Sequence, residues 1–232
     1  MLNIKTSSLN HTEDHMIHVS DKKFDDLSSD KLKCLYVLRK KTFYDRLKWQ
    51  VSCELNMEFD KYDNSNTKYI LGELKGDILF GVRLIELNND NMISEVFSPY
   101  FDDINIPFGN FIEASRLFID KDVTKKHNLF GKGLSLILFI SMINFVRKSQ
   151  YEAMYSIVSK QMYTIFKRAQ WNVKIISEGI SEKNETIYFI AMPTNQENIY
   201  NLINKLMMTS NVDEKKLTEW PIAIDPDLLV GG

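Results

Sequence analysis

The sequence is poor in the residues that staple or interrupt small folds: among 232 residues there are two cysteines, five prolines and nine glycines. Cys34 and Cys53 cannot build a disulfide framework, and their spacing is not that of a zinc site. Each reads as a buried, inert thiol; Cys34, on a helical stretch beside Leu35 with no histidine near it in sequence, makes a poor nucleophile. No linker rich in Gly, Pro or Ser divides the chain, and no repeat or low-complexity stretch, which predicts one domain. An excess of one charge is missing too. Lys plus Arg is 29 and Asp plus Glu is 31, a formal charge of −2, which speaks against phosphate-driven nucleic-acid binding and leaves room only for a local basic patch. The longest apolar run, 134–146, is broken by Ser135, Ser141 and Asn144 and falls short of the ~20 residues that span a bilayer, so it reads as a core helix. Met1-Leu2-Asn3 opens no cationic and apolar export signal. A cytoplasmic protein with no membrane or nucleic-acid partner is expected.

What the chain does hold is a globular balance, 44% hydrophobic and 26% charged, over a length that buries an ample core unaided. His11 and His15, with His18 nearby, are four apart and would share a helical face around a metal. An irregular segment leading into a short strand at 16–19 accounts for them better, and no metal is expected. From about Asn211 the chain reads as a loose tail. Asp213-Glu214-Lys215-Lys216 is a solvated cluster there, and Pro221, Pro226 and Gly231-Gly232 suit an extended segment.

A helix is predicted over 30–47, capped by Ser28 or Ser29 with Asp30 in its first turn. Leu32, Leu35, Tyr36, Arg39 and Phe43 recur on its apolar face, which carries a guanidinium inward. Strands 69–74 and 78–87 flank Lys75-Gly76-Asp77 as a hairpin, and Arg83 shares a face with Leu79, Gly81, Ile85 and Leu87. Strand 111–119 carries Glu113, Ser115 and Arg116. Strict alternation sets Arg116 on the face opposite the other two unless a bulge intervenes. A helix over 134–147 follows Gly131-Lys132-Gly133, strand 154–158 has Met154, Ser156 and Val158 on one face, and Ser159 caps a helix reaching 170. Strands 171–177 and 185–192 and a helix over 197–208 complete a mixed sheet domain of the α/β or α+β class.

Arg39, Arg83 and either Glu113 or Arg116 are thus forced onto apolar positions, with Asp60 and Asp63 in the loop between. Burying an unpaired charge costs on the order of several kcal/mol per ion, so three arginines and three carboxylates should satisfy one another. One reading is an ion-pair network that only holds the N-terminal half together. The other is a site for a zwitterion, because Arg forks grip carboxylates while carboxylates take ammonium groups or hydroxyls. Phe43 and Trp49 beside them suit a sulfonium or other cation, although aromatics at helical spacing also serve as core.

Arg39-x3-Phe43-x5-Trp49, Asp60-x2-Asp63, Arg83, Phe97 and Glu113-Ala114-Ser115-Arg116 closely resemble the motif set of LuxI-type acyl-homoserine-lactone synthases, the autoinducer synthases. The resemblance runs from about Phe24 to Pro193 and takes in Leu38-Arg-Lys-Lys-Thr-Phe43, Tyr69-Ile-Leu-Gly72 and Ile157-Val-Ser159. Every charged position of the pattern is filled. Residues 1–15 look like an extension atypical of the family, 16–210 like the synthase domain, and 211–232 like a variable tail.

The resemblance implies a fold like that of the GCN5-related N-acetyltransferases, a mixed, V-split sheet flanked by helices. It implies acyl transfer from acyl carrier protein to the amino group of S-adenosylmethionine, then lactone closure with release of methylthioadenosine. S-adenosylmethionine is a substrate and no cofactor is expected, nor is an obligate oligomer inferred. Glu113 is the expected base, and Arg39 and Arg116 are expected to position the substrate. Phe43, Trp49 and Phe97 then belong to the S-adenosylmethionine pocket, with Asp60, Asp63 and Arg83 as its electrostatic support. Phe139, Met142, Ser156 and Val158 are expected to line the acyl tunnel, or, for the apolar three, simply to fill the core. The Ser156 hydroxyl stands where relatives preferring 3-oxoacyl chains often carry Thr, a lean toward 3-oxo products of six or eight carbons. Asn128-Leu-Phe-Gly131-Lys-Gly133 resembles a weakened pyrophosphate loop. Lys160, Lys167 and Arg168, opposite Met162, Ile165 and Phe166, are the expected dock for the acidic carrier protein, or a solvated helix face. Glu113→Gln and Arg39→Ala are both expected to fold and lose turnover. An acetyl-CoA-dependent N-acyltransferase and a non-catalytic small-molecule-binding module are the alternatives.

Overall fold

Residues 15–229 are described by the computed structural model; His11 and most of the expected extension at 1–15 lie outside them, as does Gly231-Gly232. In chain order the elements are β1 (Ile17–Lys23), α1 (Ser29–Lys40) with a π-helical continuation over Lys41–Arg46, β2 (Cys53–Glu54), β3 (Met57–Glu58), β4 (Thr67–Leu74), β5 (Asp77–Glu86) and β6 (Phe111–Ile119). Then come α2 (Lys121–Lys126), α3 (Leu134–Lys148), β7 (Ala153–Ser159), α4 (Lys160–Arg168), β8 (Lys174–Ile180), β9 (Thr186–Met192), α5 (Gln196–Met207), α6 (Glu214–Thr218) and β10 (Ile222–Ile224).

The large sheet has the order β10-β1-β4-β5-β6-β7-β9-β8. Its middle follows from the sequence: β5 is buried at eight consecutive positions, as a strand covered on both faces must be. The β4–β5 turn residues Lys75 and Gly76 both take positive φ, 52° and 81°, the turn geometry that matches strand twist. All neighbours are antiparallel except β6 and β7. These two run parallel and stay paired only over Phe111–Glu113 and Ala153–Tyr155, beyond which the sheet splits. Helix α3 is buried at eleven of fifteen positions, so it lies sandwiched, with one side on the sheet and the other against α5.

Four expectations change. The helix from Ser29 keeps its α form only to Lys40 and then widens, with Leu47 N–H donating to the Thr42 carbonyl and Trp49 N–H to the Phe43 carbonyl. The expected loose tail folds: β10 pairs antiparallel with β1, and Leu217, Ile222, Ile224 and Leu229 are buried. Its apolar alternation outweighs the charged cluster, where Asp213 caps α6. Cys34 and Cys53 are exposed rather than buried, on the solvent side of α1 and in the small β2–β3 ribbon. Ile165 is 43% exposed, leaving Phe166 as the buried residue of α4. Among the described residues no helix is long and apolar enough to cross a membrane, and no group of His, Cys, Asp or Glu could hold a metal.

Candidate active site

Three elements bring the buried arginines together. Arg39 projects from the inner face of α1, Arg83 from the middle of β5, and Arg116 from β6. Arg83 is the Cα partner of Ser115 and Gly81 that of Phe118, so Arg116 and Leu117 together oppose Val82 in a bulge. Arg116 sits there at φ 53°, which returns its side chain to the face that strict alternation denied it.

The carboxylates come from the segment between α1 and β4. Arg39 donates from Nε to Glu58 at 2.6 Å and from Nη1 to Asp63 at 2.6 Å. Arg116 donates from Nε to the other oxygen of Glu58 at 2.9 Å and from Nη2 to Asp60 at 3.1 Å. Arg83 reaches Asp60 at 2.5 Å, Asp63 at 3.3 Å and the Ser115 hydroxyl at 3.2 Å. The turn is locked from within, since Asp60 N–H donates to Asp63 and Tyr62 N–H to Asp60, while the Tyr69 hydroxyl donates to Asp63 at 2.7 Å.

Glu58, fully buried and shared by Arg39 and Arg116, was not singled out in the sequence. A two-residue strand leaves no periodicity to read; the one available signal was its place in the acidic run Met57-Glu58-Phe59-Asp60. Its presence redraws the expected balance. Glu58, Asp60 and Asp63 match the three guanidiniums, and Glu113 stands apart. Glu113 is 1% exposed, one of its oxygens accepts the Ile93 N–H at 2.9 Å, and the other has no hydrogen-bond partner. Arg39 Nη2 is likewise buried without a partner. A buried donor and a buried acceptor are left over, the complement of a zwitterion.

The electrostatics separate Glu113 from Asp63. Burial pushes its carboxyl up, and the nearby Arg83 and the Ile93 N–H do not reverse this. Asp63 is also buried, yet the guanidiniums of Arg39 and Arg83 hold it well below the usual carboxylate range. Burial works against the Arg39 charge, but Asp63 and Glu58 more than offset it and push its guanidinium up. Tyr36 is pushed up to about 12, by burial first and then by Asp63. Because Asp63 is lowered on folding, the stability it contributes is present above about pH 4 and lost as pH falls below that. We expect the melting temperature of the protein to fall more steeply on acidification than that of Asp63→Asn, which starts lower and stays flatter; parallel slopes would contradict this.

The remaining expected residues divide. Phe43 is buried and stacks on Trp49 with centroids 5.1 Å apart, and Arg116 lies 5.6 Å from the Phe43 ring centroid. Trp49 is 38% exposed and forms the open side of this aromatic wall. Phe97 packs beside Tyr62, Ile85 and Met92. Phe139 and Met142 lie in the main core, Phe139 packing on Phe166 and Trp171, and Met154 and Val158 of β7 join them. Tyr155 and Ile157 point the other way, into the cluster that contains Ile93. Ser156 lies at the split, its hydroxyl donating to the Ala114 carbonyl at 2.7 Å, so the donor expected for a 3-oxo group is already engaged. Lys160, Lys167 and Arg168 are exposed on α4. Gly131 and Gly133 have φ of 81° and 71°, left-handed values that favour glycine at the start of α3. Partial shielding raises both thiols, so neither cysteine is activated.

The family model described as autoinducer synthase matches residues 23–202. An acyl-homoserine-lactone synthase of Dickeya dadantii is 44% identical over 211 residues, 90% of this chain and 99% of the relative. One of Serratia liquefaciens is 45% identical over 192 residues, 82% and 96% of the two chains. The same fold occurs in the CoA-dependent acyl-homoserine lactone synthase BjaI, solved with SAM and isopentyl-CoA (TM-score 0.72, 20% identity, 85% of this chain and 92% of that one). The synthase LasI shares it as well (TM-score 0.71, 18% identity, 81% and 94%).

Proposed function

Because the chain belongs to the autoinducer synthase family and is thereby an acyl-homoserine-lactone synthase, we propose that it acylates the amino group of S-adenosylmethionine from an acyl carrier protein and closes the product to an N-acyl-homoserine lactone. The observation that carries this reading is the isolation of Glu113 beside a charge-balanced cluster, with one oxygen of Glu113 and Nη2 of Arg39 both unpartnered. The α-carboxylate of S-adenosylmethionine accepts from Arg39, and its ammonium donates to Glu113. A carboxyl raised by burial is the stronger base when ionised. It takes the ammonium proton, the freed amine attacks the thioester carbonyl, the N–C bond forms as the C–S bond breaks, and the carrier thiol leaves. In the second step the methionyl carboxylate attacks its own γ-carbon and expels methylthioadenosine as a neutral thioether, which depends on holding the chain folded. Phe43 and Trp49 supply the aromatic faces that attract the sulfonium. The reaction needs no metal, cofactor or acyl-cysteine. An acidic carrier protein fits the exposed Lys160, Lys167 and Arg168.

The test is to incubate the protein with S-adenosylmethionine and hexanoyl- or 3-oxohexanoyl-carrier protein, with the matching acyl-CoA thioesters in parallel, and to follow methylthioadenosine and lactone by mass spectrometry. Lactone from the carrier-protein thioesters is expected. Lactone from the CoA thioesters alone would overturn the donor, and release of no methylthioadenosine with any donor would overturn the chemistry.

A further inference from the structure

Two of the three guanidiniums end on a group that carries no charge. Arg83 Nη2 lies 2.9 Å from the Met92 sulfur and Arg116 Nη1 lies 3.4 Å from it, although a thioether is a weak acceptor beside a carboxylate. Met92 is buried among Tyr62, Ile85 and Phe97. The next peptide, the N–H of Ile93, is the one that donates to Glu113. A single dipeptide therefore touches both arginines of the sheet through its sulfur and the isolated carboxyl through its backbone.

We infer that Met92 is a positioning residue for acyl transfer, its sulfur taking one N–H from each of Arg83 and Arg116 so that both forks stay on Glu58, Asp60 and Asp63 and the Glu113 oxygen stays open. The inference rests on Glu113 being the base. Charge balance explains a thioether at this place: three guanidiniums already meet three carboxylates, and a fourth acid would unbalance the cluster. An aliphatic side chain of the same size leaves two buried N–H groups without an acceptor. One open acceptor is the free oxygen of Glu113, whose carboxyl already feels the Arg83 charge. A guanidinium on that oxygen favours the ionised carboxyl and weakens it as a base. The groups facing Glu113 are Arg83 from β5, Tyr62 from the acidic turn, Ser115 on its own strand, and the backbone of Met92 and Ile93.

The experiment compares Met92→Leu, which keeps shape and loses the acceptor, with Met92→Gln, which restores a neutral acceptor at similar reach. Melting curves and steady-state kinetics against pH are recorded beside the wild type. Met92→Leu is expected to lose roughly tenfold in kcat, as for a hydrogen bond to a charged group. Its KM for S-adenosylmethionine should stay within about threefold, and the acid limb of its rate profile should move to lower pH. Met92→Gln should recover most of the loss. Wild-type kcat and pH profile in Met92→Leu overturn the inference, as does a Gln variant no better than the Leu variant. If Met92→Leu does not fold, the Gln variant decides alone, near wild-type turnover supporting the acceptor and lost turnover in a folded protein overturning it. A wild type that makes no lactone overturns the functional reading itself, and with it this assignment, which tells the two failures apart.

Discussion

Glu113→Gln is expected to abolish most lactone synthesis while leaving the protein at least as stable as the wild type. The loss should be about 10²-fold to 10⁴-fold in kcat, the range for a positioned base. The amide fits the same space and still accepts the Ile93 N–H, but it cannot take a proton from the substrate ammonium. The stability change follows from the sign of the shift. Burial raises the Glu113 carboxyl, so the folded protein holds that proton more tightly than the unfolded chain does. Ionising it therefore destabilises the fold progressively as pH rises above the ordinary carboxylate range. A neutral Gln escapes this, so its melting temperature should exceed that of the wild type near pH 7.5 and converge with it on acidification. Circular dichroism melts at several pH values, with methylthioadenosine release measured on the same samples, check both halves. Wild-type turnover in the Gln variant would remove Glu113 from the chemistry, and a large drop in melting temperature would mean that its carboxylate holds structure instead.

Arg39→Ala is expected to behave differently from what the sequence suggests. The sequence reading has it folded and inactive; the structure places its guanidinium between Glu58 and Asp63, at 2.6 Å from each, with all three side chains buried. Removing one partner of a buried pair leaves uncompensated charge and costs about 3–5 kcal/mol, which in a protein of this size lowers the melting temperature by roughly 6–20 °C. Loss of turnover in Arg39→Ala would thus mix unfolding with lost substrate contact. Arg39→Lys separates the two. It keeps a charge beside the carboxylates and loses the fork, so it should recover part of the melting temperature while turnover stays low. Differential scanning calorimetry on the three proteins gives the first quantity and the carrier-protein assay the second. A melting temperature for Arg39→Ala equal to that of the wild type would show that Glu58 and Asp63 find other partners.

Glu113→Gln and Arg39→Ala differ because the same kind of clue, a charged residue on an apolar pattern, conceals opposite environments. Helical spacing carried Arg39 inward and strand alternation did the same for Arg83, and the split of the sheet beside Glu113 followed from the family resemblance. The hairpin at Lys75-Gly76-Asp77 was equally readable, because turn residues stand there between two apolar runs. The helix face, the strand face and the hairpin are local properties, written within a few residues of where they act.

The chain by itself therefore determined most strands of the large sheet and its long helices, and that the charges at 39, 60, 63, 83, 113 and 116 should gather into one cluster, since none of them could be buried alone. Only the tertiary structure decided how they pair. It brought Glu58 from a two-residue strand between two guanidiniums, and a bulge turned Arg116 onto the face that alternation forbids. It also carried Ile222–Ile224 across some two hundred positions to Ile17–Val19, and it engaged the Ser156 hydroxyl on a neighbouring strand. Each of these depends on contacts between residues far apart in sequence, where periodicity says nothing. It is those contacts that match three carboxylates to three arginines and leave Glu113 outside the ion pairs.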